Sequence, residues 1–251
     1  MLLKSILSLV VLAAPLIVAS PVQARLTIWD LPLGAGLDRM PPVNEFKGYA
    51  CGSNGGPPLR ALPGWADFKQ CTPETSGLYE VYFEYDDEDE FIARAYEDIT
   101  LARDIGTVDK SFPIVVSALF DANGILAGIR LVTDPRLEQR EDNEWANLRA
   151  RNEHHLLAAY LSGSMHISMK TDCTKLPLSE TESTVGGVGI KTDCEHIDAD
   201  AGRRYVLQQR FFRKKGQAGR DPATGALTSG QYESSTRAEI YVITEEPKAN
   251  P

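Results

Sequence analysis

The chain reads as an α+β protein: antiparallel sheet, one long helix, one short helix, and an irregular N-terminal lobe stapled by a disulfide. Three observations predict this class. Alternating or apolar runs bounded by turn residues recur along the chain, at about 79–85, 114–120, 125–133, 166–173, 187–197, 203–214 and 230–243. Residues 137–161 contain no Pro or Gly and many helix formers. No regular strand–helix–strand alternation supports a parallel sheet.

The first 24 residues have the pattern of a cleavable export signal. Lys4 is the only charged side chain before an apolar run from Ile6 to Val18, broken by Ser8 and Pro15. Val22 and Ala24 supply the small residues expected at −3 and −1 of a cleavage site, before Arg25. The apolar run is shorter than the roughly 20 residues that span a bilayer, so no transmembrane segment is expected once the signal is removed. The absence of an N-x-Ser/Thr sequon favours a bacterial origin. The periplasm is the expected compartment, with secretion to the medium as the alternative.

Residues 25–76 form the lobe, rich in Pro and Gly, with Cys51-Gly52-Ser53-Asn54-Gly55-Gly56-Pro57-Pro58 as a loop and Trp65 and Phe68 as anchors. Residues 77–251 form the α+β domain, with a possible subdivision near 135–165. Tyr79, Val81, Phe83 and Tyr85 share one strand face, and Glu80 and Glu84 fall on the other. The acidic run that follows suits the first turn of a short helix over about 88–98; a hairpin at Asp87-Glu88 is its rival. Ile114–Phe120 and Ile125–Thr133 read as a hairpin turning at Asp121-Ala122-Asn123-Gly124. The long helix over 137–161 is expected to end at Gly163. Strands follow, separated by a polar, Gly-containing loop over 214–230, and residues 245–251 read as a tail.

The four cysteines, Cys51, Cys71, Cys173 and Cys194, suggest two disulfides in an exported chain. Pairing of sequence neighbours, Cys51 with Cys71 and Cys173 with Cys194, closes two short loops worth about 3 kcal/mol each in the chain-entropy picture. Lys170-Thr171-Asp172-Cys173 recurs as Lys191-Thr192-Asp193-Cys194, an echo consistent with two neighbouring strands joined by the second bridge.

A formal net charge of −9 argues against nucleic acid or an anionic membrane binding over the whole surface. No catalytic residues are assigned: G-x-S-x-G, S-x-x-K, H-E-x-x-H and the Walker and dinucleotide fingerprints are missing from the sequence, and no cofactor is implied. Ser53, His154 and His155 are the places where an extracytoplasmic hydrolase would be sought, as the alternative to a non-enzymatic role. His166 is expected on a strand face with Ser168, Lys170 and Asp172, while His196 alternates with Cys194 and Thr192 and is placed to cover the disulfide. Asp86, Asp87, Glu88, Asp89 and Glu90 offer hard oxygen ligands for Ca²⁺ without EF-hand spacing, which makes cation binding a second alternative.

Charge segregation is more suggestive. From Glu74 to Ala93 there are acidic residues and no basic one. From Arg203 to Arg220 there are Arg203, Arg204, Arg210, Arg213, Lys214, Lys215 and Arg220 and no acidic one, interleaved with Tyr205, Phe211 and Phe212. Such a hairpin suits an acidic protein, an anionic polymer or lipid headgroups as partner, or this chain's own acidic segment. The leading expectation is therefore an exported binding or envelope-scaffold protein.

Overall fold

The computed structural model describes residues 26–85, 107–108, 112–133, 157–185, 187–215, 219–220, 227–228 and 233–243. The architecture is mostly antiparallel sheet. Twelve strands occur among these residues: β1 Lys47–Cys51, β2 Tyr79–Glu84, β3 Thr107–Val108, β4 Phe112–Phe120, β5 Leu126–Thr133, β6 Cys173–Lys175, β7 Glu182–Ser183, β8 Ile190–Asp198, β9 Arg203–Lys214, β10 Gly219–Arg220, β11 Leu227–Thr228 and β12 Glu233–Val242. Ten join one sheet in the order β1-β2-β4-β5-β12-β9-β8-β6, with β3 attached to β4 and β7 to β9. The segment expected as a polar loop instead carries the small β10–β11 ladder.

Two hairpins organise the sheet. In the first, Gly124 takes φ 83° and the Asp121 carboxylate accepts the N–H groups of Asn123 and Ile125, both at 2.8 Å. These bonds hold β4 against β5 through the side-chain mimicry that favours Asp in turns. The second hairpin pairs β8 with β9 from Ile190↔Phe211 to Asp198↔Arg203. The C-terminal strand β12 lies between them, bonded to β5 on one side and β9 on the other.

One sheet face builds the core. Val81 and Phe83 from β2, Ile114, Val116, Ala118 and Phe120 from β4, and Ile129 and Leu131 from β5 are all essentially inaccessible. Ala238 and Ile240 of β12 and Leu207 of β9 continue the same cluster. The N-terminal residues 26–76 cover it, contributing Ile28, Leu31, Phe46, Trp65 and Phe68. Trp65 stands edge-on to Phe83 with ring centroids 5.1 Å apart, and its indole N–H donates to the Pro41 carbonyl at 3.1 Å. The lobe is less irregular than expected, because β1 extends the sheet and residues 59–62 bond back along it: the Leu59 N–H donates to the Cys51 carbonyl, the Cys51 N–H to the Arg60 carbonyl and the Leu62 N–H to the Tyr49 carbonyl, each at 2.8 Å. The Cys51–Cys71 disulfide ties β1 to the 3-10 turn Trp65–Gln70.

The long helix is not confirmed. Its first part, and the short helix placed over 88–98, lie outside the described residues. What is described is a short helix, α1, over residues 157–164, with Leu157 and Leu161 buried. It runs past Gly163. The stop is His166, which takes φ 55° while the Ile167 N–H reaches back to the Ser162 carbonyl at 2.8 Å. That is the six-residue closing bond of a Schellman cap, with His166 in the left-handed position that Gly usually fills. Met165 and Ile167 are both buried beside it. Their spacing of two imitates a strand, which is why the strand expected from residue 166 shrinks to Cys173–Lys175. Residues 165–172 turn instead, and His166 is exposed rather than part of a strand face.

Phe83 packs against Phe46 and Trp65 in the aromatic cluster and has no exposed surface. Phe83→Ala is expected to lower unfolding stability by about 3–5 kcal/mol in urea titration with the disulfides intact.

Candidate functional site

The second face of β2, β4, β5 and β12 holds the only buried charge cluster among the described residues. Period-2 alternation places Glu80 of β2, Ser117 of β4, Arg130 of β5 and Arg237, Glu239 and Tyr241 of β12 on this side. In the ladder, Ser117 faces Arg130 and Arg130 faces Glu239. Alternation puts Glu80 on the face opposite Val81 and Phe83, which in a half-buried strand is the solvent side. Glu80 is instead 3% exposed, because residues 52–56 fold across this face and cover it.

Arg130, also 3% exposed, is the hub. Its Nε donates to Glu239 at 2.7 Å. Its Nη1 donates to Glu74 at 2.5 Å and lies 3.1 Å from Glu80 Oε2, and Nη2 reaches Glu74 at 3.1 Å. Burial alone would push the guanidinium pKa down; Glu74, Glu80 and Glu239 together hold it up. Removing water from so many charges is costly, and the arrangement is tolerated because each is met by several partners.

Arg237 forms a second tier. Its guanidinium bonds Glu239 through Nε at 3.0 Å and Nη2 at 2.6 Å, and the Asn54 carbonyl and side-chain oxygens at 3.0 and 2.7 Å. The loop is gripped from below as well: the backbone N–H groups of Asn54 and Gly55 donate to the two oxygens of Glu80 at 2.5 and 3.1 Å. Successive left-handed residues, Asn54 at φ 61° and Gly55 at φ 81°, aim these donors at one carboxylate, forming an anion-holding nest. Gly55 is required on two counts, since a Cβ there would stand 2.3 Å from Val132 Cγ2. Gly128 gives similar room to the Tyr241 ring across the ladder. Burial and the adjacent Glu239 push the Tyr241 phenol up to about 12.

The sequence-predicted residues fall elsewhere. Both disulfides form as the neighbour pairing predicted, Cys51–Cys71 and Cys173–Cys194. Of the echoing tetrapeptides only the cysteines meet across β6 and β8, Cys173 directly opposite Cys194; Lys170, Thr171 and Asp172 lie in the turn before β6, and Asp193 and Thr192 face Thr174 and Lys175. Ser53 donates its hydroxyl to the Pro57 carbonyl at 2.7 Å, inside its own loop. His154, His155 and the run Asp86–Glu90 lie outside the described residues. Among the described residues no group of three or more His, Cys, Asp or Glu is arranged to hold a metal ion. His196 stacks on Tyr205 and places Nδ1 3.2 Å from Asp172. The Asp172 carboxyl is held below the usual range chiefly by the Ser168 N–H, with Thr171 and His196 adding to it.

The basic segment is partly neutralised by its strand neighbours. Arg203 donates to the Leu33 carbonyl at 3.2 Å. Arg204 pairs with Glu195 at 2.5 Å and lies over the Tyr241 ring. Arg210 pairs with Asp193 and bonds the Thr192 carbonyl at 2.8 Å. Lys214 pairs with Glu233. Around Phe212 the charges gather: the ammonium groups of Lys191 and Lys214 stand 5.4 and 5.6 Å from its ring centroid. Lys191 is itself held by Glu182 at 3.0 Å. Lys215 is exposed at the end of this group, and Arg220 lies in β10.

No protein-family model, curated protein or solved structure matches the chain. No helix among the described residues is long and apolar enough to cross a membrane, a statement that leaves strands aside. The two disulfides are compatible with export to an oxidising environment.

Sequence reasoning missed the Arg130 cluster. Its one signal is a charged residue inside an otherwise apolar run, Ile129-Arg130-Leu131-Val132, a position that only a buried partner makes tolerable. Arg130→Met strands three carboxylates and is expected to cost about 3–5 kcal/mol at neutral pH by urea titration. The pH dependence has a defined sign. Glu74 is held below its ordinary value mainly by the Arg130 hydrogen bond; Glu239 is raised by burial but lowered further by Arg130 and Arg237. Groups depressed in the folded state stabilise it above their unfolded value, about 4.3 for Glu, and that stabilisation is lost as pH falls through the folded value. The stability gap between Arg130→Met and the parent is therefore expected to narrow between about pH 7 and pH 3.

Proposed function

We propose that this chain is an exported, non-enzymatic binding or scaffold protein of the cell envelope, periplasmic in location, that docks an anionic partner on the β8–β9 hairpin. The observation that carries the reading is the basic cluster around Phe212. Lys191 and Lys214 flank the ring, Arg210 lies two residues along the same strand, and Lys215 extends the group into solvent. The nearby carboxylates, Glu182, Asp193 and Glu233, meet Lys191, Arg210 and Lys214 one for one, which leaves Arg213 and Lys215 in excess among the described residues. On a protein of net charge −9 such a local reversal of sign steers and orients an acidic ligand. Phe212 itself is buried, 2% exposed, so its ring seats the two ammonium groups from below and leaves contact with a partner to the charges.

The converging charges on the other half of the sheet support a structural use. Arg130 is closed off by three carboxylates, and Glu80 is occupied by the Asn54 and Gly55 amides as well. Groups held this way brace a loop against a sheet. Their geometry is that of a rivet.

Sedimentation with vesicles tests the reading. The mature protein is expected to pellet with phosphatidylglycerol vesicles and to stay in solution with phosphatidylcholine at low ionic strength. The double variant Lys214→Glu/Lys215→Glu is expected to weaken that association at least about tenfold while keeping its melting temperature, because exposed pairs such as Lys214–Glu233 contribute only about 0–1 kcal/mol. Equal pelleting by both proteins would remove the hairpin as the docking element.

A further inference from the structure

The two disulfides occupy different settings. Cys51 and Cys71 are both buried, 5% and 6% exposed, and packed with Trp65 and Phe68 in the main core. Cys173 is half-buried on β6, a strand of three residues at the end of the sheet. Its partner Cys194 lies on β8, 4% exposed. Thr174 and Lys175 beside Cys173 are exposed, as are Met169, Lys170 and Thr171 in the preceding turn. Met169, itself exposed, places its sulfur 3.6 Å from Cys173 Sγ, so a flexible thioether stands beside this bridge while Cys173 packs only partly against the core cluster.

We propose that Cys173–Cys194 is a thiol-exchange site: the bridge opens to an external thiolate while Cys51–Cys71 stays closed. Exchange requires a thiolate to reach a sulfur along the S–S axis, so access decides which bridge reacts and at which end. Only Cys173 offers that access. The external thiolate bonds to Cys173 Sγ, the S–S bond breaks, and its electron pair leaves on Cys194 as thiolate, which takes a proton from solvent. A second external thiolate then attacks the sulfur of the first, the mixed S–S bond breaks, and Cys173 leaves as a thiolate that takes a proton from solvent. The protein gains two thiols and the reductant becomes a disulfide. The reductant is a small-molecule thiol or the dithiol of an oxidoreductase.

The local structure lets this happen without unfolding the molecule. β6 contacts only β8 in the sheet, through three residue pairs, and β8 remains paired with β9 along nine. On β8, Cys194 belongs to the core cluster, and Thr192, two residues along the strand, is also buried. Opening the bridge therefore frees an edge, whereas opening Cys51–Cys71 must disturb the packing of Trp65 and Phe68.

Stepwise reduction of the full, oxidised mature protein tests this. Samples are taken during exposure to glutathione and, separately, to dithiothreitol, quenched with iodoacetamide, and mapped by peptide mass spectrometry. Alkylation at Cys173 and Cys194 is expected at least about tenfold faster than at Cys51 and Cys71 in both series, with near-ultraviolet circular dichroism from the Trp65 cluster unchanged during the fast phase. Trapped glutathione is expected on Cys173. Opening under dithiothreitol alone would assign the site to dithiol reductants. Simultaneous alkylation of all four cysteines, or earlier opening of Cys51–Cys71, would overturn the proposal. So would glutathione trapped on Cys194.

Discussion

The fold turns on how one buried guanidinium is satisfied. Arg130 stands in the middle of β5, and its donors reach a residue before β2, a residue within β2 and a residue within β12. These carboxylates are separated in sequence by as much as 109 residues from their partner. Removing any one of these carboxylates leaves the buried charge short of a partner, so the ion cluster ties β5 to its neighbour β12 and, across β4, to β2. The apolar face fills space and supplies most of the stabilisation. The polar face selects the register.

The same cluster explains why a loop rich in Gly and Pro has a defined conformation. Residues 52–58 carry few side chains that could pack. Their backbone is captured instead, with two amides on Glu80 and two acceptors on Arg237. Asn54 and Gly55 tolerate the left-handed geometry that the capture demands. The cover so formed is what turns Glu80 from a surface residue into a buried one.

Much of the strand content was legible because hydrophobic periodicity reports local conformation directly. Ile114–Phe120 is a near-continuous apolar run, Ile125–Thr133 returns after a turn, polar and apolar residues mix at strand spacing over Ile190–Asp198 and Arg203–Lys214, and the cysteine pairs lie close enough in sequence to favour each other. What stayed hidden depends on contacts between distant parts. Glu80 looks like any outward-facing strand residue until the loop that covers it is in place. β1 is short, with Gly48 at positive φ and a register shift after Lys47, so it has no alternation to read. Met165 and Ile167 mimic a strand because a helix cap also buries alternate residues. The basic run from Arg203 looked like a continuous patch in one dimension. In three, alternate side chains point to opposite faces and much of its charge is met across the ladder by Glu195, Asp193 and Glu233.

The position of β12 has a consequence for the order of assembly. Both hairpins, β4–β5 and β8–β9, can close as soon as their own residues are free, since each joins segments adjacent in the chain. They cannot be welded into one sheet until the last strand arrives, because β12 is the piece that fits between them. A polypeptide threaded through a pore amino end first would thus wait as two separate halves, each showing an unpaired margin, until its final residues emerged. During the wait those margins are open to pairing with a neighbouring chain.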